Sequence, residues 1–357
     1  VKDGERDRTG VYAEWETRHG VQWMTLVGLR HDHVQMTAGN VQGYNPAGGG
    51  NQGRDAAAFN ALNRHRSDGN WDFTALARHQ AHATLDVEFG FARKTRSPNL
   101  YETYPWSTWQ MAALMNNFVG DGNGYVGNPA LKPEVAHTLS ATADWHSADR
   151  SSGLKVTPYL TEVQDYIDAQ QWNATANAPQ TQRVQRQFTV LRYTNQRARL
   201  HGVDVSGAMP LAQNDWGRWG VSGVLSHTRG ENRTTGDNLY QVMPLNAKLV
   251  LTQQHNQWSQ ALEWVGVSAK TRVSAVRNEV ATPGYSLLNW RSSYTMGNVR
   301  FDFGVQNLLN RMYYLPQGGA YTGQGTTMTT MGTSVPAWGA AVPGPGRSLY
   351  AGVNVKF

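Results

Sequence analysis

Ala81-His-Ala-Thr-Leu-Asp-Val-Glu-Phe-Gly-Phe-Ala92 alternates without a break. The odd positions are Ala, Ala, Leu, Val, Phe and Phe, and the even ones His, Thr, Asp, Glu, Gly and Ala. A period of two gives an extended strand one oily face and one wet face. Strands of soluble sandwiches are usually shorter, whereas roughly ten alternating residues is the reach of a strand that crosses a bilayer. The segment climbs into a long irregular connection. A second alternating segment, Val135 to Trp145, leaves it with Val, Leu, Ala, Ala and Trp on one face, interrupted by His137. Two long strands joined by a long loop form the unit that the rest of the chain repeats.

The composition suits such a repeat. The 357 residues include 37 Gly, 13 Trp, 15 Tyr and 9 Phe, yet only 39% are hydrophobic, a mixture that favours strands and turns over a helical core. No run of about eighteen apolar residues exists, so a membrane-spanning helix is excluded. A barrel strand needs apolar side chains only at alternate positions, so low hydropathy leaves the membrane open. There is no cysteine, which fits an oxidising compartment and decides little by itself. The net charge of +6 is scattered, without a Lys/Arg block, which points away from nucleic acid as a partner. The first residues, Val1-Lys-Asp-Gly-Glu-Arg-Asp-Arg-Thr-Gly10, carry neither an initiator Met nor a signal-peptide core, and are expected to continue a longer protein.

In order, strands are predicted over Val11 to His19, Val21 to about Met36, Trp71 to Gln80 and the Ala81 segment, then Val135 to Trp145 and Leu154 to Ile167. Further strands are expected over Arg192 to Leu211, Trp216 to Arg229, Asn246 to His255, Trp258 to about Val273, Tyr285 to Thr295, Val299 to Leu309 and Leu349 to Phe357. That makes about thirteen. A bulge is expected near Pro158, where the phase slips. Long loops are placed near 37–69, 95–134, 168–190, 230–240, 275–284 and 313–347, alternating with turns of a few residues. This asymmetry belongs to transmembrane barrels, with short periplasmic turns and long outer loops, and a lipid-exposed sheet must close on itself. The fold class is therefore all-β, a transmembrane antiparallel barrel occupying 1–357. Trp15, Trp71, Trp145 and Trp258 fall near strand ends, where an aromatic girdle is expected.

Several motifs are more specific than the periodicity. Phe91-Ala-Arg-Lys-Thr-Arg-Ser-Pro-Asn-Leu-Tyr-Glu102 followed by Gly127-Asn-Pro-Ala-Leu-Lys-Pro-Glu134 resembles the pair that brackets one outer loop in TonB-dependent outer-membrane receptors. Asn195-Gln-Arg-Ala-Arg-Leu-His-Gly-Val-Asp204 resembles another of that family's strand signatures. Asn307-Leu-Leu-Asn-Arg-Met-Tyr313, Pro345-Gly-Arg347 and the terminal Phe357 resemble its C-terminal end. The resemblance implies a 22-stranded barrel with a plugged lumen, of which this chain would supply the C-terminal strands. It places the plug, and the segment that contacts TonB, ahead of Val1. It also implies a Gram-negative outer membrane with its lipid and lipopolysaccharide, and recognition of Phe357 by the barrel-assembly machinery.

The ligand is sought in the loops. Tyr104-Pro-Trp-Ser-Thr-Trp-Gln-Met-Ala-Ala-Leu-Met-Asn-Asn-Phe118 carries Met111 and Met115, which would share one face of a helical turn. Met328-Thr-Thr-Met331 offers a second pair. Neutral thioethers select Cu(I), and the loop resembles the copper-receptor branch of the family, so copper is the expected transported ligand. Loop methionines also serve as flexible apolar filler. Met36 has the phase of the lumen, whereas His31 and His33 share their face with Val27 and Leu29 and read as a rim pair rather than metal ligands. A ferric-siderophore receptor of the same family and, in another class, a passive porin are the competing readings. No Ser/His/acid or paired-carboxylate spacing suggests an enzyme.

Overall fold

The computed structural model describes residues 1–43, 51–110, 119–185, 187–321 and 339–357. The elements begin with β1 (Glu5–His19), β2 (Trp23–Thr37), α1 (Asn51–Asn60), β3 (Arg66–His82), β4 (Leu85–Arg96), α2 (Leu100–Thr103), β5 (Gly124–Val126) and β6 (Glu134–His146). They continue with β7 (Gly153–Asn173), β8 (Ala178–Pro179), β9 (Val190–Asn214), β10 (Gly217–Asn232), β11 (Asn246–His255) and β12 (Trp258–Val267). The last are β13 (Tyr285–Met296), β14 (Val299–Gln306), β15 (Ala320–Tyr321), β16 (Ala340–Ala341) and β17 (Ser348–Val355). Among the described residues, thirteen long strands form one antiparallel sheet in chain order, β1-β2-β3-β4-β6-β7-β9-β10-β11-β12-β13-β14-β17. β5 lies parallel beside β9, β8 pairs with β7, and β15 pairs with β16.

The register explains the sorting of side chains. One cross-strand row runs Val27, Ala75, Phe91, Leu139, Leu160, and the row beside it runs Gly28, Thr74, Ala92, Thr138, Thr161. The first row belongs to an apolar face left bare to the surroundings, with Phe89 and Leu139 more than half exposed. The second belongs to a polar face, where Thr138 and Thr161 join hydroxyls at 2.9 Å and Thr142 and Thr157 at 3.0 Å. An uncovered apolar sheet face is stable in hydrocarbon and costly in water. Trp15, Trp145 and Trp258 stand on it near the short-turn end, with Trp23 stacked on His79 at 4.2 Å and Trp258 tilted against Tyr294 at 4.8 Å. Trp71 marks the other end. These rings form the expected girdle.

Turns at one end are minimal. Ala83-Thr84, Asn256-Gln257 and Gly297-Asn298 each close a hairpin in two residues, and Asn256 (φ 52°) and Gly297 (φ 60°) supply the left-handed backbone such turns require. The first of these corrects the sequence reading. Ala81 and His82 finish β3 and Ala83-Thr84 make the turn, so the alternating stretch holds a hairpin before its strand starts at Leu85. A two-residue turn leaves the period of two intact, so periodicity alone does not reveal it.

Other boundaries move for similar reasons. β7 runs through to Asn173, well inside the expected 168–190 loop, and β9 begins at Val190, the last residue of that loop, because both strands continue beyond bilayer length. Helix α1 lies in the first long loop, while β12 stops at Val267 and β14 at Gln306. Around Pro158 the β6–β7 pairing lapses between Ser140↔Tyr159 and Ala143↔Val156 without changing register, since proline offers no N–H to the ladder. The shift falls instead between Val163 and Tyr166, where Asp165 adopts φ 53°.

Buried apolar side chains gather at the long-loop end. Val34, Met36, Ala38, Val41, Ala56, Phe59 and Tyr104 form one cluster, and Tyr125, Leu131, Ile167, Ala169, Leu191 and Tyr193 a second. Val163, Ala198 and Leu239 form a third. The loops therefore pack as structured bodies on the strand ends.

Candidate ligand-binding face

The loop between β4 and β6 is built on one arginine. Arg96, the last residue of β4, donates to Glu134 Oε2 at 2.6 Å and to both oxygens of Glu102 at 2.8 and 3.0 Å. Asn99 caps α2 by accepting from the N–H groups of Tyr101 and Glu102, both at 2.8 Å, while Glu102 accepts from the Asn99 N–H. This reciprocal box satisfies amides that a short helix would leave bare. The other oxygen of Glu134 accepts from Ile167 N at 2.7 Å, so the two bracketing motifs meet in space.

Their neck is closed by the backbone. Gly127 N donates to Pro105 O at 2.7 Å, and Asn128 N donates to Glu102 O at 3.2 Å. A Cβ at Gly127 would collide with the Thr103 carbonyl, so only glycine permits the approach. Asn195 of the third motif accepts from Lys132 N at 2.8 Å and donates to Lys132 O and Asp165 O. At the C-terminal end, Asn307 donates to Arg311 O and Pro345 O, and Asn310 accepts from Arg347 N at 3.0 Å. Each motif is thus a staple at the foot of a long loop.

The proposed thioethers Met111, Met115, Met328 and Met331 lie outside the described residues. Met36 is buried in the first apolar cluster, with Leu100 and Trp106 packed against it, beneath the stretch that leads to Met111. Tyr104, in the same cluster, donates to Arg64 O at 2.7 Å, and Thr108 donates through N and Oγ1 to Asp55 of α1. His31 and His33 stand on the opposite face. The His31 ring rests on Trp71 at 4.5 Å, and His33 lies 3.4 Å from Ser67 Oγ. Among the described residues, no three His, Asp or Glu side chains converge as a metal-sized cluster.

A second assembly was not foreseen. Arg277, between β12 and β13, is 6% exposed. Its guanidinium donates to Asp168 at 3.1 Å and to the Tyr125 hydroxyl at 2.7 Å, and lies 4.0 Å from Asp121. It also lies over the rings of Tyr240, Tyr125 and Tyr193 at 5.0, 5.6 and 5.8 Å, within the range of cation–π attraction. Asn232 Nδ2 donates to Asp168 and Gln196, and Tyr125 donates to Asp121. Burial pushes the Asp121 carboxyl above its ordinary value, against the opposing pull of Arg277 and Tyr125. No sequence period connects positions 121, 168, 240 and 277. The only available signal was an isolated arginine in a loop whose register was unknown.

A sheet with a bare apolar belt, aromatic ends and turns short at one end and long at the other is the wall of an outer-membrane-type barrel. The family model for the TonB dependent receptor-like β-barrel matches residues 1–308, and the chain belongs to that family. Its place is the bacterial outer membrane. Among solved structures the chain is similar to the Copper transporter OprC, at 20% identity and TM-score 0.73 over 99% of this chain and 48% of that one. It is similar to the FrpB iron transporter from Neisseria meningitidis (F3-3 variant) at 16% identity and TM-score 0.64, covering 99% and 46%. It is similar to the ferric-catecholate import receptor Fiu from E. coli K12 at 14% and 0.63, covering 99% and 45%. A relative in sequence is the heme/hemopexin utilization protein C of Haemophilus influenzae, 24% identical over 209 residues, 54% of this chain and 28% of that protein. The chain therefore spans less than half the length of these proteins, and the structural likenesses speak for the fold.

Proposed function

We propose that this chain is part of a receptor that takes up copper across the outer membrane in a TonB-dependent step. The observation that carries the reading is the placing of thioethers in the two longest loops, Met111 four residues before Met115 and Met328 three before Met331. Thioethers bind Cu(I) well and hard ions poorly, which gives selectivity without charge. Likeness to a copper transporter supports the reading, and so does Met36 lying under the loop that leads to Met111. His31 and His33 are the weaker candidates, being on the outer face beside Trp71. In this proposal TonB acts through a plug, lipopolysaccharide surrounds the apolar belt, and Phe357 is read by the assembly machinery.

The test uses the full receptor, purified and loaded with Cu(I) under reducing conditions, with bound metal measured by mass spectrometry. Wild type should retain copper, and Met111→Ala/Met115→Ala should lose most of it. A wild-type receptor that holds no copper but binds a ferric siderophore or haem would overturn the copper assignment. Passive permeation that persists without TonB would favour a porin.

A further inference from the structure

Arg277 stands where four chain segments meet. Asn123 Nδ2 donates to Arg277 O at 2.8 Å, Gln171 Nε2 to Val276 O at 3.1 Å, and Asn278 Nδ2 to Gln187 O at 3.3 Å. Asp237 accepts from Ala275 N and Val276 N at 3.0 and 2.8 Å. The side of the same loop is tied down too. Buried Lys270 pairs with Glu279 at 2.5 Å and donates to Pro316 O at 2.9 Å, while Ala320 N donates to Gly120 O at 2.7 Å. Residues 119–126, 168–171, 232–241 and 270–282 are therefore joined through one buried guanidinium and its flanking amides, and Pro316 and Ala320 are tied to the same body through Lys270 and Gly120.

A charge in such a place constrains motion. Withdrawing residues 119–126 alone would strip Arg277 of Tyr125 and its Asp121 neighbour. Withdrawing the end of β7 would strip it of Asp168. Either step leaves a cation out of water without its partners, which is far more costly than never burying it. Intermediate arrangements are disfavoured, leaving one docked state and one in which the whole set is released and Arg277 is hydrated. A discrete element of this kind can couple distant sites.

We propose that Arg277 is the keystone of a concerted extracellular lid, so that these loops open and shut together rather than singly. The inference does not depend on which metal the receptor carries. The structure holds the docked arrangement, and release of the keystone would open the mouth.

The test is hydrogen exchange of the full receptor in outer-membrane vesicles, read by mass spectrometry on peptides covering 119–126, 184–191, 232–241 and 270–282. For Arg277→Ala the expected result is exchange at least tenfold faster in all four regions together, with the β10–β11 and β11–β12 ladder amides unchanged. Arg277→Lys should shift the same regions less, because an ammonium cannot fork between Asp168 and Tyr125. Arg291→Ala, which removes a 3.4 Å contact with Glu263 on the lumen face of the sheet, should leave all four regions unchanged. Acceleration confined to 270–282 would overturn the keystone. If Arg277→Ala does not reach the heat-modifiable folded form, Arg277→Lys and Asp168→Asn decide by the same pattern.

Discussion

Glu134 shows how little a single residue leaves idle in this chain. One carboxylate oxygen takes Arg96 and the other takes the Ile167 amide, so a residue that opens β6 also fixes β4 and the upper part of β7. Asp121 and Asp168 divide a different task around one guanidinium. Asp168 makes the close ion pair, whereas Asp121 is buried and its carboxyl is pushed up. A carboxyl whose folded value exceeds its unfolded value binds more protons in the folded state. Its contribution is fully present at low pH and is lost as pH rises from the ordinary aspartate range through the raised value. Asp121→Asn mimics the protonated form, so it should slow loop exchange at neutral pH and flatten its pH dependence. Asp168→Asn breaks a buried pair and should cost about 3–5 kcal/mol of loop docking. Faster exchange in Asp121→Asn would show that an ionised Asp121 is what the cluster uses. Neither role was legible in the sequence, because the partners are 109 and more positions apart and their meeting depends on how far β7 and β9 extend.

At the level of the strand, the sequence said much more. A lipid face needs an apolar side chain at every second position and nothing else, so Leu85–Ala92, Val135–Trp145 and Val299–Val305 declared themselves. What escaped was whatever leaves the period untouched, such as the Ala83-Thr84 turn, or what lies above the bilayer, where strands β7 and β9 continue with mixed burial. The face assignment makes a sharp prediction. Leu139, more than half exposed near the middle of β6, should not tolerate a charge. Leu139→Arg should destabilise the barrel in vesicles by about 2–4 kcal/mol. Ser140→Arg, one residue along and opposite Gly90 on the polar face, should cost much less. Urea unfolding followed by the loss of heat-modifiable mobility measures both, and equal costs would mean that the two faces are wrongly assigned.

Across the whole molecule, the apolar side chains do two different jobs at two heights. On the strands they stay uncovered in rings bounded by tryptophan; under the loops they pack into three clusters. The motifs that identified the family lie between these zones and serve as fittings, which is why family and fold were readable while the ligand rests on methionines in the loops. The closure of Gly127 N on Pro105 O then has an evolutionary consequence. The segment between Pro105 and Gly127 leaves and re-enters the barrel rim at this one clamp, and its far end is held by β5 on β9 and by Asp121 and Tyr125 at Arg277. Replacing residues 106–118 as a cassette, with those ties kept, by the corresponding cassette of an iron receptor should leave the folded mobility of the full receptor intact while changing which metal it retains. Loss of the folded form on exchange, with the clamp residues kept, would mean that the cassette is itself part of the barrel's foundation.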